Sequence, residues 1–143
     1  LGVDLGSRRI GVALSDSDGT VASPLEVVER SGDESRDHRR LAAIVAEYEV
    51  ESVVVGLPLS LDGSEGPAAT DYGAEAARLG DRLAVPVETY DERFTTVTAE
   101  RQLRDAGVGG PTRRRVIDKV AAAVLLQAWL DARAVRPTPP ADR

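Results

Sequence analysis

A chain of 143 residues, 42% hydrophobic and 29% charged, has the balance of one globular domain large enough to bury a core. A formal net charge of −6 argues against a protein that coats nucleic acid by bulk positive charge, though not against local binding. Zero Cys removes disulfides and thiolate metal sites, a single His (His38) removes His-rich zinc sites, and no apolar run approaches membrane-spanning length.

Any catalytic metal must then be held by oxygen, which suits Mg²⁺ or Mn²⁺. The composition fits a cytoplasmic protein. The chain opens inside a strand pattern and contains no Met, so its native start is expected upstream.

From Gly2 to Asp16 (GVDLGSRRIGVALSD), Val3 and Leu5, then Ile10, Val12 and Leu14, alternate with small or polar residues. Period-two patterning on both sides of a short connection predicts two antiparallel strands, with Gly6 relaxing the bend. Asp4 is the odd residue, a charge in mid-strand between glycines. Gly2 and Gly6 are expected to clear its face for a divalent cation or a phosphate–metal complex. The plainer alternative is a water-solvated Asp on an edge strand.

Thr20 to Val28 reads as a poorer third strand, which Pro24 demotes to an edge or a bulge. Ser31 to Arg36 reads as a polar loop. From about Asp37, Leu41, Ile44, Val45 and Tyr48 recur at helical spacing, and the Arg36–Arg40 cluster reads as a solvated face. Ser52 to Val55 is a short apolar run, the mark of a strand buried on both sides. It leads into Gly56-Leu57-Pro58 and a glycine-containing loop, the place where α/β folds hold ligands. A second helix is predicted from Ala68 to Leu83, with Ala69, Tyr72, Ala76 and Leu79 inward. A strand from Val85 to Tyr90 delivers Asp91-Glu92-Arg93. Thr95 and Thr96 can cap a short helix through Ala106, and Gly107 to Pro111 breaks the chain. Thr112 is the predicted cap of a long last helix through about Ala134, followed by a disordered Pro-rich tail. One domain over residues 1–135 and a tail over 136–143 result.

Three strands, then helix–strand–helix–strand–helix–helix, is the order of an α/β protein with a ribonuclease H-like fold, a five-stranded mixed sheet flanked by helices. On the last helix Ile117, Val120, Val124 and Ala128 form one apolar stripe. Asp118 heads a neighbouring stripe with Ala122, Leu125 and Trp129. That places a second carboxylate on or beside a face that wants burial. Proximity to the helix N-terminus, or pairing with Arg114 or Arg115, would be its structural explanation.

Four stretches, GVDLGSRRIGVALSD, VVVGLPLSLDGSEG, YDERFTT and IDKVAAAVLLQAWL, follow one another over nearly the whole chain. Together they resemble the YqgF/RuvX family of bacterial proteins, associated with Holliday junction resolution and with nuclease processing of pre-16S ribosomal RNA. The resemblance implies acids on the first strand, at the end of a later parallel strand and on the last helix. In this chain these are Asp4, Glu92 (with Asp91 beside it) and Asp118. It implies a metal-dependent endonuclease in which Mg²⁺ or Mn²⁺, held by Asp4, Glu92 and Asp118, activates water and stabilises the leaving oxygen. Strand parity by itself does not choose between Asp91 and Glu92; the resemblance favours Glu92. Arg8, Arg9, Arg93, Thr96, Arg113, Arg114 and Arg115, with backbone N–H groups after Pro58, are the candidate phosphate contacts. Better-characterised resolvases of this fold carry two acids on the last helix, whereas Ala121 and Ala122 stand one turn after Asp118, so one metal is more secure than two.

The expected partner is structured nucleic acid, an RNA precursor or a four-way DNA junction, with no membrane and a monomer or homodimer. The alternative is a non-catalytic nucleic-acid-binding or ribosome-assembly module on the same fold. Concentrated negative charge weighs against it, since a mere phosphate binder gains nothing from acids. A sugar-kinase or actin-type ATPase would need two such domains.

Overall fold

The computed structural model describes residues 1–58, 66–92 and 110–135, with the backbone alone for 111–114 and 135. Five strands, β1 (Gly2–Leu5), β2 (Arg9–Ser15), β3 (Ala22–Glu29), β4 (Val53–Leu57) and β5 (Val87–Asp91), form one sheet in the order β3-β2-β1-β4-β5. β1 pairs antiparallel with β2 and β2 with β3, while β1–β4 and β4–β5 are parallel. The helices are α1 (Glu34–Glu47), α2 (Pro67–Arg82) and α3 (Pro111–Val135). The mixed sheet and the element order are those expected. The short helix expected through Ala106, the loop after Pro58 and the tail 136–143 lie outside the described residues.

The β1–β2 turn is closed by the Gly6 N–H donating to the Arg9 carbonyl at 2.9 Å. β3 is an edge strand, and its register against β2 slips between Val12↔Glu26 and Ala13↔Pro24. Pro24 thus sits where a missing N–H costs little. β1 lies in the middle, so Asp4 belongs to the central strand and not to an edge.

Two helix starts differ from expectation. The Asp33 side chain accepts from the N–H groups of Ser35 and Arg36, so α1 begins at Glu34, inside the stretch read as loop. Pro111 is the first residue of α3 and not part of the break before it, a position where its absent N–H is no loss. Tyr48 follows α1 as its C-cap and is exposed, so it does not extend the apolar face of Leu41, Ile44 and Val45.

One sheet face carries Val3, Leu5, Ile10, Val12, Val53 and Val55, and packs against Leu41, Ile44 and Leu79 of α1 and α2. The other carries Ala13 and Val54 under Ala122, Leu126 and Leu130 of α3. This second face is small, and α3 comes close. A Cβ built on Gly2 would lie 2.7 Å from Leu126 Cβ and 2.9 Å from the Ala122 carbonyl oxygen. Gly2 therefore makes room for α3 and not for a ligand, contrary to the expectation. A small surface lets α3 approach through alanines, and its buried residues are Ile117, Asp118, Ala121, Ala122, Leu125, Leu126 and Leu130. Of the expected apolar stripe, Ile117 is buried, Val124 and Ala128 are half-buried, and Val120 is exposed. Among the described residues no helix is long and apolar enough to cross a membrane.

Candidate active site

Asp4 and Gly2 share strand parity, so the Asp4 side chain belongs to the α3 face. Its β2 partner is Gly11, and continuing the β1–β4 register one step beyond Val3↔Val55 brings Gly56 level with it. Asp4 thus sits between two glycines on neighbouring strands, and each glycine is overlain by part of another acid. A Cβ on Gly11 would run into the Asp118 carbonyl oxygen, and one on Gly56 would meet Glu92 Oε1 at 2.6 Å. Asp118 on α3 and Glu92 just after β5 therefore flank Asp4 from opposite sides.

All three acids are fully buried. A buried carboxylate is costly unless a cation or hydrogen bonds compensate it. For Asp118 the compensation includes Arg9, whose Nε donates to Oδ2 at 2.6 Å from the first residue of β2. Pairing with Arg115 was one structural explanation offered for Asp118, but Arg115 pairs with Glu29 instead.

Asp91 and Glu92 are separated by burial. Tyr90 packs among the α3 side chains, and the Trp129 indole N–H donates to Glu88 at 2.6 Å, so Glu88 and Tyr90 face α3. Glu92 shares their parity and is buried, whereas Asp91 is half-buried. Of the proposed phosphate contacts, Arg8 is exposed in the turn after β1, Arg9 is half-buried against Asp118, and Arg115 is exposed near the start of α3. Arg93, Thr96 and the segment after Pro58 lie outside the described residues, as do the side chains of Arg113 and Arg114.

Sequence reasoning missed the glycines that admit Glu92 and Asp118, although Gly11 and Gly56 both stand in strand patterns where a missing side chain signals close approach. It also missed a buried polar network on the opposite sheet face. Arg30, just after β3, donates through both terminal nitrogens to Glu75 of α2 at 2.7 and 2.9 Å, and its Nε donates to the Gly6 carbonyl at 2.9 Å. His38 of α1 bridges Glu75 Oε2 and Arg82, each at 2.8 Å. Burial pushes the Glu75 carboxyl up, but the hydrogen bonds from His38 and Arg30 outweigh it and bring its pKa down to about 2. Arg30, Glu34, Asp37, Tyr72 and Glu75 line an open cavity of about 530 Å³ here.

Two acidic groups can be tested for a metal. Glu34, His38 and Glu75 offer ligand atoms within 4.8 Å of one another. Their oxygens already accept from Arg30, Arg78 and Arg82, so a cation would have to displace guanidinium forks. Asp4, Glu92 and Asp118 offer only hard oxygen donors from three separate elements, and here a cation would meet one guanidinium, that of Arg9 on Asp118. The second group has the all-oxygen donor set that hard divalent cations take, while the first is the one whose ligand atoms converge but are already engaged by guanidinium groups.

Comparison with known proteins follows the same line. Residues 1–132 match the RuvX family, described as a Holliday junction resolvase. A protein of Mycobacteroides abscessus named "Putative pre-16S rRNA nuclease" is 50% identical over 134 residues, covering 93% of this chain and 81% of its own length. A namesake from Mycobacterium sp. (strain KMS) is 52% identical, covering 93% and 79%. Among solved structures, Thermus thermophilus RuvC in complex with a Holliday junction substrate superposes with a TM-score of 0.54 at 19% identity, covering 94% of each chain. Another T. thermophilus RuvC structure gives 0.51 at 18%. At such identity the likeness establishes the fold, which is ribonuclease H-like.

Proposed function

The chain belongs to the RuvX family of nucleases, and we propose that it is a divalent-metal-dependent endonuclease whose ion is held by Asp4, Glu92 and Asp118. The observation that supports this reading is that three buried acids, Asp4 on β1, Glu92 after β5 and Asp118 on α3, lie towards one sheet face, with Glu92 Oε1 over Gly56 and the Asp118 backbone over Gly11. Burying acids together is unfavourable for a fold that does not use them.

Bound Mg²⁺ or Mn²⁺ would activate the attacking water and stabilise the charge developing on the departing oxygen. The protein contributes orientation. Asp4 is fixed by the central strand, Asp118 by a helix packed on glycine, and Glu92 by its seat over Gly56, so little reorganisation is required when substrate arrives. Arg8, Arg9, Arg93, Thr96 and Arg113–Arg115 are the groups assigned to phosphate, with Arg8 and Arg9 on the turn that follows Asp4. Asp91, beside Glu92 and half-buried, is assigned a supporting role at the edge of the site.

The substrate is structured nucleic acid, which we read as the pre-16S rRNA precursor named for the relatives or the four-way DNA junction named for the family. Either places the protein's work in the bacterial cytoplasm. Symmetric paired cutting of a junction would call for a homodimer, whereas trimming of an RNA end suits a monomer. A cleavage assay offering both substrates at matched salt, with Asp4→Asn as control, tests the reading. Mg²⁺- or Mn²⁺-dependent products that vanish with EDTA and with Asp4→Asn are expected. Absence of Asp4-dependent cleavage of both substrates would favour a binding module instead.

A further inference from the structure

The contact between Arg9 and Asp118 has a form that a purely structural ion pair does not require. Asp118 is fully buried, and the Arg9 side chain, 13% exposed, is about as sheltered as that of Arg30 at 16%. Arg9 reaches the carboxylate through Nε. By contrast, Arg30 grips Glu75 with both terminal nitrogens and hangs on the Gly6 carbonyl as well. A fork fixed at three points is held in place, whereas a contact through one nitrogen has fewer bonds to break before it lets go. The cross-strand partner of Arg9 is Glu29, which is already paired with Arg115. The neighbour of Arg9 in the turn is the exposed Arg8.

We propose that Arg9 is the resident counter-cation of Asp118 and gives up its place when the divalent metal enters. The inference rests on the metal reading above. Asp118, out of water, needs compensating neighbours, and the Arg9 guanidinium is one of them. A metal ion bound to the same carboxylate takes over that role and repels the guanidinium at close range. Arg9 then turns outward beside Arg8, on the side from which a phosphate backbone reaches the turn. Metal loading thereby creates a phosphate contact, and an empty site does not display one.

The exchange makes a prediction opposite in sign to that of a structural anchor. If Arg9 merely braced Asp118, removing it would loosen the ligand and weaken metal binding. If Arg9 competes with the metal, removing it strengthens binding. Mn²⁺ affinity is measured on the full chain by paramagnetic resonance of the free ion, in wild type, Arg9→Gln, Arg9→Lys and Asp4→Asn, with circular dichroism to verify folding. Losing one charge-assisted hydrogen bond from the metal-free state corresponds to an affinity about tenfold tighter in Arg9→Gln. The lysine keeps the charge without the planar group, and its gain is about threefold, so the sign is readable from Arg9→Lys even if Arg9→Gln fails to fold. Equal or weaker Mn²⁺ binding in the folded variants overturns the exchange while leaving the metal site standing. If wild type and Arg9→Gln both fail to bind Mn²⁺, and match Asp4→Asn, the metal reading itself has failed and the exchange falls with it.

Discussion

On the face covered by α1 and α2, Glu75 is gripped by the Arg30 fork and the His38 ring; on the face covered by α3, Asp118 meets Arg9 through one nitrogen. Both carboxylates are buried, and both have a guanidinium beside them. Burial of an acid therefore does not by itself mark a functional site. What separates the two faces is how the acids are housed. The Glu75 network ties two helices to the β1–β2 turn with paired charges. The α3 face gathers its acids over strands stripped to glycine, so that backbone and carboxylate approach one another closely.

The largest expected effect belongs to the α3 face alone. Asp4→Asn should lower metal-dependent cleavage on the order of a thousandfold, about 4 kcal/mol in transition-state stabilisation. It should leave the metal-free fold at least as stable as wild type in a thermal melt. The matched substitution on the other face, Glu75→Gln, should do the reverse, disturbing the fold more than the chemistry. If Asp4→Asn unfolds the protein, the contrast between the faces collapses.

Next comes the tightness of the α3 packing. Gly11→Ala would place a methyl against the Asp118 backbone and should cost about 3 kcal/mol or more in denaturant unfolding, because backbone cannot step aside as a side chain can. A cost below about 1 kcal/mol would show that α3 rides on the sheet less closely than described.

The Glu75 network gives a pH signature. Its carboxyl is held down at about 2 in the folded protein, below its ordinary value of 4.5. A group depressed in this way adds stability that is fully present above pH 4.5. The contribution is lost as pH falls from about 4.5 towards 2. It amounts to at most about 3 kcal/mol, and Glu75→Gln should flatten that part of the stability–pH curve. A wild-type curve with no acid limb there would remove the network from the account.

The smallest effect has the opposite sign. Gly73 in α2 has only Leu57 Cδ2 at 4.0 Å from a built Cβ, so Gly73→Ala meets ordinary contact and should stabilise by about 0.5–1 kcal/mol. Two Gly→Ala changes, one on each side of the molecule, then read out the packing difference in opposite directions.

The strands and helices were legible because each buried face writes its period into the chain. The alternation of Val3, Leu5, Ile10 and Val12, and the spacing of Leu41, Ile44 and Val45, each mark a face that is in fact buried. Asp4 and Asp118 were legible as charges placed where charges are disfavoured. Glu92 stood out only through the family resemblance, because strand parity does not choose it over Asp91 until the face holding Asp4 is known. The stripe on α3 misled for a related reason: Val120 is more hydrophobic than Ala121 or Ala122, but a glycine-lined sheet selects for smallness. The network of Arg30, Glu75 and His38 left no signal, since its members come from three segments and each alone looks like a surface residue.

The ion pair between Arg9 and Asp118 spans 109 residues of sequence. Helix α3 also lies against β1, which precedes it by about a hundred residues. During synthesis the central strand must wait, with its α3 face open, until nearly all of the described chain has been made. Contacts of such long range are slow to form and leave apolar surface exposed meanwhile. Asp118 therefore joins Asp4 and Glu92 only after α3 has docked on the sheet.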